Sequence, residues 1–160
     1  MTIADYNDSV SQYADRLYRF ALSMLRDSMD AEDVVQVVFE RLWVRVDKVQ
    51  SASVKSYLFT SAYRAAIDVI RKRKFNSIDK NKPWTIPSIE KQVEAREVLE
   101  LVLDRLSKDQ KAMVLLRDYE GYTYRDIAEI MNIPLSHVKI NLFRARKKLQ
   151  NLLNSLEVVL

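Results

Sequence analysis

The chain has no cysteine, one glycine, one histidine and three prolines in 160 residues. Without cysteine there are no disulfides and no thiolate metal sites, which fits a reducing compartment. One glycine excludes a glycine-rich phosphate loop. Together with so few prolines it disfavours β-sandwiches, which need frequent tight turns, and favours helices. The lone histidine, His137, is too little for a zinc site. No apolar run approaches the ~18 residues of a membrane span. The opening MTIADYNDSV lacks the basic-then-apolar order of a signal peptide. A soluble, cytoplasmic protein that does not insert in a membrane is expected. No residue set meets the geometric roles of an active site. Paired carboxylates such as Glu32/Asp33 lie near a helix start, where the macrodipole already accounts for them. No enzymatic activity, metal or cofactor is therefore expected.

What the sequence does have is helical periodicity from end to end. In residues 5–26, Tyr6, Val10, Tyr13, Leu17, Ala21 and Met24 recur three and four apart. Asp30 and Asp33 form a possible N-cap pair for a helix over 31–46, with Val34, Val35, Val38, Leu42 and Val46 inward and Trp43 near the opposite face. Its β-branched content also suits a strand, but its period and length favour a helix. After the loop DKVQSAS, Ser53 is placed to cap a third helix with Leu58, Ala62, Ala65, Ala66, Val69 and Ile70 on its apolar side. Residues 76–92 hold two of the three prolines and Trp84, show no periodicity and read as a linker. A fourth helix is expected over about 91–105, burying Val93, Val98, Leu101, Val102 and Leu106. Ser107 and Gln110 make a capping box for a fifth, running through Tyr119 with Met113, Leu116 and Tyr119 inward. The fold class is all-α, in two small helical modules: three helices over 1–75 and four over 93–160.

The last third is the most specific stretch. In GYTYRDIAEIMNIPLSHVKINLFRARKKL, residues 121–149, Thr123 and Asp126 are placed as a capping box. Asn132 stands where a left-handed residue ends the short helix, and Pro134 where the next one starts. In that helix Val138, Leu142, Ala145, Leu149, Leu152 and Leu156 form one apolar stripe. The other face carries Lys139, Asn141, Arg144, Arg146, Lys147 and Lys148. A short helix, a tight turn and a basic amphipathic helix make the pattern of a helix-turn-helix. A plain helical hairpin with a solvated basic face has the same pattern.

Charge is segregated along the chain. Net charge is −3 over residues 1–52, +6 over 53–82, −3 over 83–134 and +4 over 135–160. Two basic segments alternating with two acidic ones suggest two contacts with a polyanion and one with a different partner. The final helix suits phosphates and base edges of a duplex. The run RKRK at 71–74, preceded by Tyr57, Phe59 and Tyr63, suits an unpaired strand, whose bases stack on rings while cations hold its backbone. Core packing of the aromatics and a dipole-favoured, solvated helix end are the plainer alternatives.

Three stretches in this order resemble one family. DAEDVVQVVFERLW resembles the second conserved region of bacterial RNA polymerase sigma factors. SYLFTSAYRAAIDVIRKRK resembles the segment that recognises and melts the downstream promoter element. LSKDQKAMVLLRDYEGYTYRDIAEIMNIPLSHVKINLFRARKKL resembles their fourth region. With only a short linker between them, the chain is similar to the smallest group, the extracytoplasmic-function (ECF) sigma factors.

The resemblance implies a factor that binds core RNA polymerase, directs it to promoters and helps melt them. Asp33, Gln36, Glu40, Arg41 and Trp43 would dock on the clamp helices of the largest subunit, and the C-terminal module on the flap. The loop with Lys48, Gln50 and Ser51 would capture a flipped base of the −10 element. Tyr57, Phe59 and Tyr63 would support melting, and Arg71, Lys72, Arg73 and Lys74 would hold the single strand's phosphates. His137, Lys139, Ile140, Phe143 and Arg144 would read the −35 element in duplex DNA. Arg125, Arg146, Lys147 and Lys148 would hold its backbone. An anti-sigma factor is an implied partner.

Some positions depart from the family pattern. Val37 replaces an acidic residue, Arg64 an Asn, Ser107 a Pro and Asn132 a Gly. Ile140 and Asn141 replace Ser and Arg on the reading face, which should alter promoter choice. The rival reading is a stand-alone helix-turn-helix regulator whose N-terminal helices dimerise or bind a protein. It gives no role to a second aromatic and basic helix.

Overall fold

The computed structural model describes residues 1–76 and 95–159. Most of the expected linker, with Trp84, and the expected onset of the fourth helix, with Val93, lie outside the described residues. Helix α1 spans Ile3–Leu25, α2 Ser28–Val44 and α3 Val54–Asn76, with a 3₁₀ turn at Ser51–Ser53 leading into α3. The second group comprises α4, Ala95–Leu103; α5, Lys108–Val114, continued by a π-helical turn Leu115–Tyr119; α6, Tyr124–Met131; and α7, Leu135–Val159. The fold is all-α: the described residues contain no strand, and among them three α-helices precede residue 77 and four follow residue 94.

Local chemistry sets the helix ends. Thr2 and Asp5 form a reciprocal capping box that starts α1, which ends at Arg26 in the left-handed region, φ 55°. The second helix starts earlier than its sequence suggests. Asp27, not Asp30, is the N-cap, accepting from the Asp30 backbone N–H at 2.9 Å. A carboxylate at 27 caps the helix about one turn sooner, so Ser28, Met29 and Asp30 join it. Ser53 is the last residue of the 3₁₀ turn, its N–H donating to the Gln50 carbonyl at 2.9 Å.

The stripes of α1, α2 and α3 meet in a close-packed centre where Leu17, Val38, Leu42, Leu58, Phe59, Ala62 and Ala66 are fully buried. Each such leucine contributes about 1.5–3 kcal/mol through burial.

In the second group, Ser107 and Gln110 make the expected capping box and α5 follows. The π-helical turn then changes the register. An extra residue in the turn rotates the helix relative to its 3.6-residue stripe. Met113 and Leu116 are buried as expected, but Tyr119 is turned outward and is 54 % exposed. Thr123 and Asp126 cap α6 reciprocally, at 3.1 and 3.2 Å. Asn132 ends it at φ 55°, and the Ile133 N–H returns to the Ala128 carbonyl at 3.0 Å. Pro134 then opens α7, its carbonyl accepting from the His137 and Val138 N–H groups. Val138, Leu142 and Ala145 are buried under α5 and α6, and Leu149, Leu152 and Leu156 are half-buried.

The two groups are not separate bodies. One apolar cluster runs through both, with Tyr122, just before α6, seated on α3. No helix among the described residues is long and apolar enough to cross a membrane. None of their His, Cys, Asp and Glu side chains cluster so as to hold a metal.

Candidate nucleic-acid interface

The helix-turn-helix presents its reading face openly. His137, Lys139, Ile140, Phe143 and Arg144 are all exposed on α7, Ile140 at 49 % and Phe143 at 70 %. An exposed phenylalanine among cations has no packing role in the described fold and suits contact with a base or a thymine methyl. Tyr124, Lys139, Phe143, Arg146, Lys147 and Gln150 line an open groove of about 590 Å³. A second groove, of about 470 Å³, runs from Lys139 past Tyr124 to Arg117 and Arg125. Lys147 and Lys148 are exposed, and Arg125 is exposed in the first turn of α6.

Two further residues belong to this face. Arg117 lies over the Tyr124 ring at 4.9 Å and donates to the Tyr122 carbonyl at 2.8 Å. Neither lies on the α7 stripe that marked the face in sequence. Arg146 is not a free cation: its guanidinium pairs with Asp118 at 2.9 Å.

On α3 the residues divide by face. Phe59 is fully buried, with its ring edge-on to Phe20 at 5.8 Å and to Tyr122 at 5.6 Å. Tyr63 is half-buried, and its hydroxyl donates to Asp109 at 3.3 Å. Burial and that carboxylate push the Tyr63 hydroxyl well above its usual pKa. Tyr57 is half-buried and lines a groove with Ser61, Arg64, Glu40, Arg41 and Arg45. The RKRK run is likewise split. Arg71, Lys72 and Lys74 are exposed, with Lys72 paired to Asp68 one turn away. Arg73 turns back instead, donating to the Leu25 carbonyl at 2.6 Å and pairing with Asp30. It ties the end of α3 to the end of α1.

Lys48, Gln50 and Ser51 are exposed in the α2–α3 connection, where the Ser51 hydroxyl donates to Asp5 at 3.3 Å. Asp33, Gln36, Glu40 and Arg41 share the outer face of α2, and the Gln36 amide donates to Glu40 at 3.3 Å. Trp43 is 49 % exposed and stands edge-on to Tyr6 at 5.0 Å, with Val44, 83 % exposed, beside it. This face adjoins the basic side of α3: Asp33 and Arg41 share a groove with Arg64, Arg71 and Lys72.

Residues 10–76 match the family described as Sigma-70 region 2, and residues 96–149 match Sigma-70, region 4. The ECF RNA polymerase sigma factor SigM of Bacillus subtilis is 33 % identical over 151 residues, covering 89 % of this chain and 91 % of that protein. RNA polymerase sigma factor SigV of the same organism is 29 % identical over 140 residues, covering 86 % and 84 %. Among solved structures, the sigma factor RpoE in complex with the anti-sigma factor NepR from Bartonella quintana has a TM-score of 0.78 at 26 % identity, covering 95 % of this chain and 98 % of that one. CnrH in complex with the cytosolic domain of CnrY shares the fold, with a TM-score of 0.71 at 19 % identity, covering 94 % and 88 %. Both sigma regions are present, in order, and the likeness to SigM runs nearly end to end: the chain belongs to the ECF group of the sigma-70 family of RNA polymerase sigma factors.

Proposed function

We propose that the chain brings core RNA polymerase to promoters by gripping them at two points, with α7 on the duplex −35 element and α3 on the opened −10 element. The exposed set Lys139, Ile140, Phe143 and Arg144 carries this reading. His137 lies on the same open face, with Arg125, Lys147 and Lys148 flanking it for phosphates. Arg71, Lys72 and Lys74 hold the displaced strand near the loop of Lys48, Gln50 and Ser51. The face of Asp33, Gln36, Glu40, Arg41 and Trp43 docks on the polymerase clamp helices, and the second module on the flap. An acidic face repels DNA and suits a protein partner, which makes sense of it on a DNA-binding chain.

Size bears on how the grip is made. Elements named for positions −35 and −10 lie about 25 base pairs apart, about 85 Å at ~3.4 Å per pair. A compact 160-residue chain has a radius of gyration of only about 15 Å. The packed arrangement cannot reach both elements at once, so its modules must separate. The residues between Asn76 and Ala95 reach at most about 60 Å when extended, which with the modules' own dimensions suffices.

Domain limits of 1–75 and 93–160 follow from this division of labour. RpoE was solved with an anti-sigma factor, and we extend a partner of that kind to this chain. A stand-alone regulator leaves the outer faces of α2 and α3 without a use.

Site-specific photocrosslinking in the promoter complex tests the assignment. A crosslinker at Phe143 should mark the −35 duplex, and one at Arg71 the non-template strand of the −10 element. Crosslinks from both positions to one element would overturn the two-point grip.

A further inference from the structure

The open side of α7 is not wholly polar. Val138, Leu142 and Ala145 are buried, but Ile140 is 49 % exposed. At about 100° per residue, Ile140 points about 160° away from both Val138 and Leu142. Phe143 lies about 60° to one side of it, and Arg144 and His137 about 40° and 60° to the other. Lys147, two turns on, is within about 20° of its direction. Ile140 therefore marks the centre of the exposed face, with a ring and cations around it. Among the described residues it packs on no part of the apolar cluster. A β-branched side chain also gains nothing for the helix itself at an exposed position. Neither the core nor the helix accounts for an isoleucine there.

The next residue narrows the chemistry further. Asn141 has the amide that suits adenine. It is half-buried, and that amide turns back along the helix to donate to the His137 carbonyl at 2.9 Å. The centre of the face is thus left to a side chain with neither donor nor acceptor. In the major groove adenine, guanine and cytosine offer polar groups alone, whereas thymine adds a 5-methyl. Against that methyl, isoleucine removes two apolar surfaces from water. Against a polar edge, it strips water from a donor or acceptor and returns no hydrogen bond. The same contact favours one base and penalises the others.

We propose that Ile140 is a specificity-determining residue that selects a thymine in the duplex element read by α7, by packing on its 5-methyl. This rests on the reading above, in which α7 enters the −35 duplex. Lys147 and Lys148 supply attraction to any sequence, and Ile140 supplies discrimination at one base pair.

The test uses holoenzyme assembled from the full chain and core polymerase. A promoter library randomised over the −35 region should be enriched for thymine, on one strand or the other, at one position or more. Deoxyuridine in place of such a thymine removes the methyl and nothing else. At the position facing Ile140 it should weaken binding about fourfold, the worth of one buried methyl. Restoring the methyl on a different base, with 5-methylcytosine in place of cytosine at that position, should recover part of the binding lost by a C·G pair. Ile140→Ser puts a hydroxyl there that can bond to several edges. It should bind thymine and deoxyuridine promoters equally, and unchanged helical circular dichroism would show that it folds. An enriched −35 sequence without thymine would overturn the assignment. So would a deoxyuridine effect that is absent, or that survives Ile140→Ser at every enriched thymine. If the holoenzyme enriches no −35 sequence at all, the two-point reading falls and the thymine assignment with it.

Discussion

Lys111 carries its ammonium 2.6 Å from Oδ1 of Asp104 although the residue is only 6 % exposed. An ammonium out of water must be paired, and Asp104 is the side chain paired with it here. Asp104 also holds Arg26 of the first module through its other oxygen, so it serves both the fold of the second module and its docking. Asp104→Ala should cost about 2 kcal/mol, less than a fully buried pair because Asp104 keeps some contact with water. Lys111→Met should cost below about 1 kcal/mol, since it removes the charge and keeps the volume. Urea denaturation of both variants checks the contrast. Equal losses would mean that Lys111 acts by packing alone.

Arg71 and Lys72 face solvent while Arg73 is tied to Leu25 and Asp30, so neighbours in one basic run should behave differently. Arg71→Ala with Lys72→Ala should reduce open-complex formation, read by permanganate reactivity of unpaired thymines, more than closed-complex binding. Stability should change little. Arg73→Ala should instead destabilise the first module by about 1 kcal/mol, the usual worth of a hydrogen bond to a charged group at a partly exposed site. Equal losses of open and closed complexes in the double variant would contradict a melting role.

Asp118 holds Arg146 at 2.9 Å, with both side chains 45 % exposed. Such a surface pair is worth at most about 1 kcal/mol. Asp118→Asn should therefore leave stability nearly unchanged and release a cation towards the −35 backbone. Each phosphate neutralised steepens the salt dependence of binding by about 0.9 in log–log slope. Promoter affinity measured from 50 to 200 mM salt should show that steepening. An unchanged slope would place Arg146 off the DNA.

Alkaline pH should open the closed arrangement. Tyr63 and Tyr122 have pKa values raised above 10, chiefly by burial, and Asp109 and Glu120 add to it. A group whose pKa is raised in the closed form stabilises it fully below the unperturbed value and loses that contribution as pH climbs. The window is therefore above pH 10. Lys55 works the other way, its pKa lowered mainly by burial and by Arg16, and the two tyrosines together set the direction expected here. Energy transfer between dyes on cysteines introduced by Gln12→Cys and Asn154→Cys, one on each module of a chain without native cysteine, should fall above pH 10, together with delayed phenolate absorbance. Tighter closure there would contradict the burial of the two hydroxyls in the interface.

Much of this was readable in sequence because it is local. The capping boxes at Ser107/Gln110 and Thr123/Asp126 and the left-handed Asn132 depend on residues three or four apart, and the structure places them as the spacing implies. The exposed basic face of α7 follows from one periodic stripe. What was hidden is either a break in period or a distant contact. The π-helical turn moves Tyr119 off the stripe, and no residue in LLRDY announces it. Asp27 displaces Asp30 because either carboxylate can cap. The second-module partners of Phe59, Tyr63 and Lys55 lie 46 to 67 residues away, and Arg16 meets Glu120 across 104, so no local pattern records them. Aromatic and basic residues on α3 read as a nucleic-acid face, but Phe59 and Tyr63 are spent on the second module and Arg73 on the first.

The most direct test is reconstitution. Purified chain added to core RNA polymerase should yield transcripts from a defined start, with permanganate-reactive thymines at the −10 element and protection at −35. The result that contradicts the account is a chain that binds duplex DNA tightly by itself and leaves core polymerase without promoter specificity.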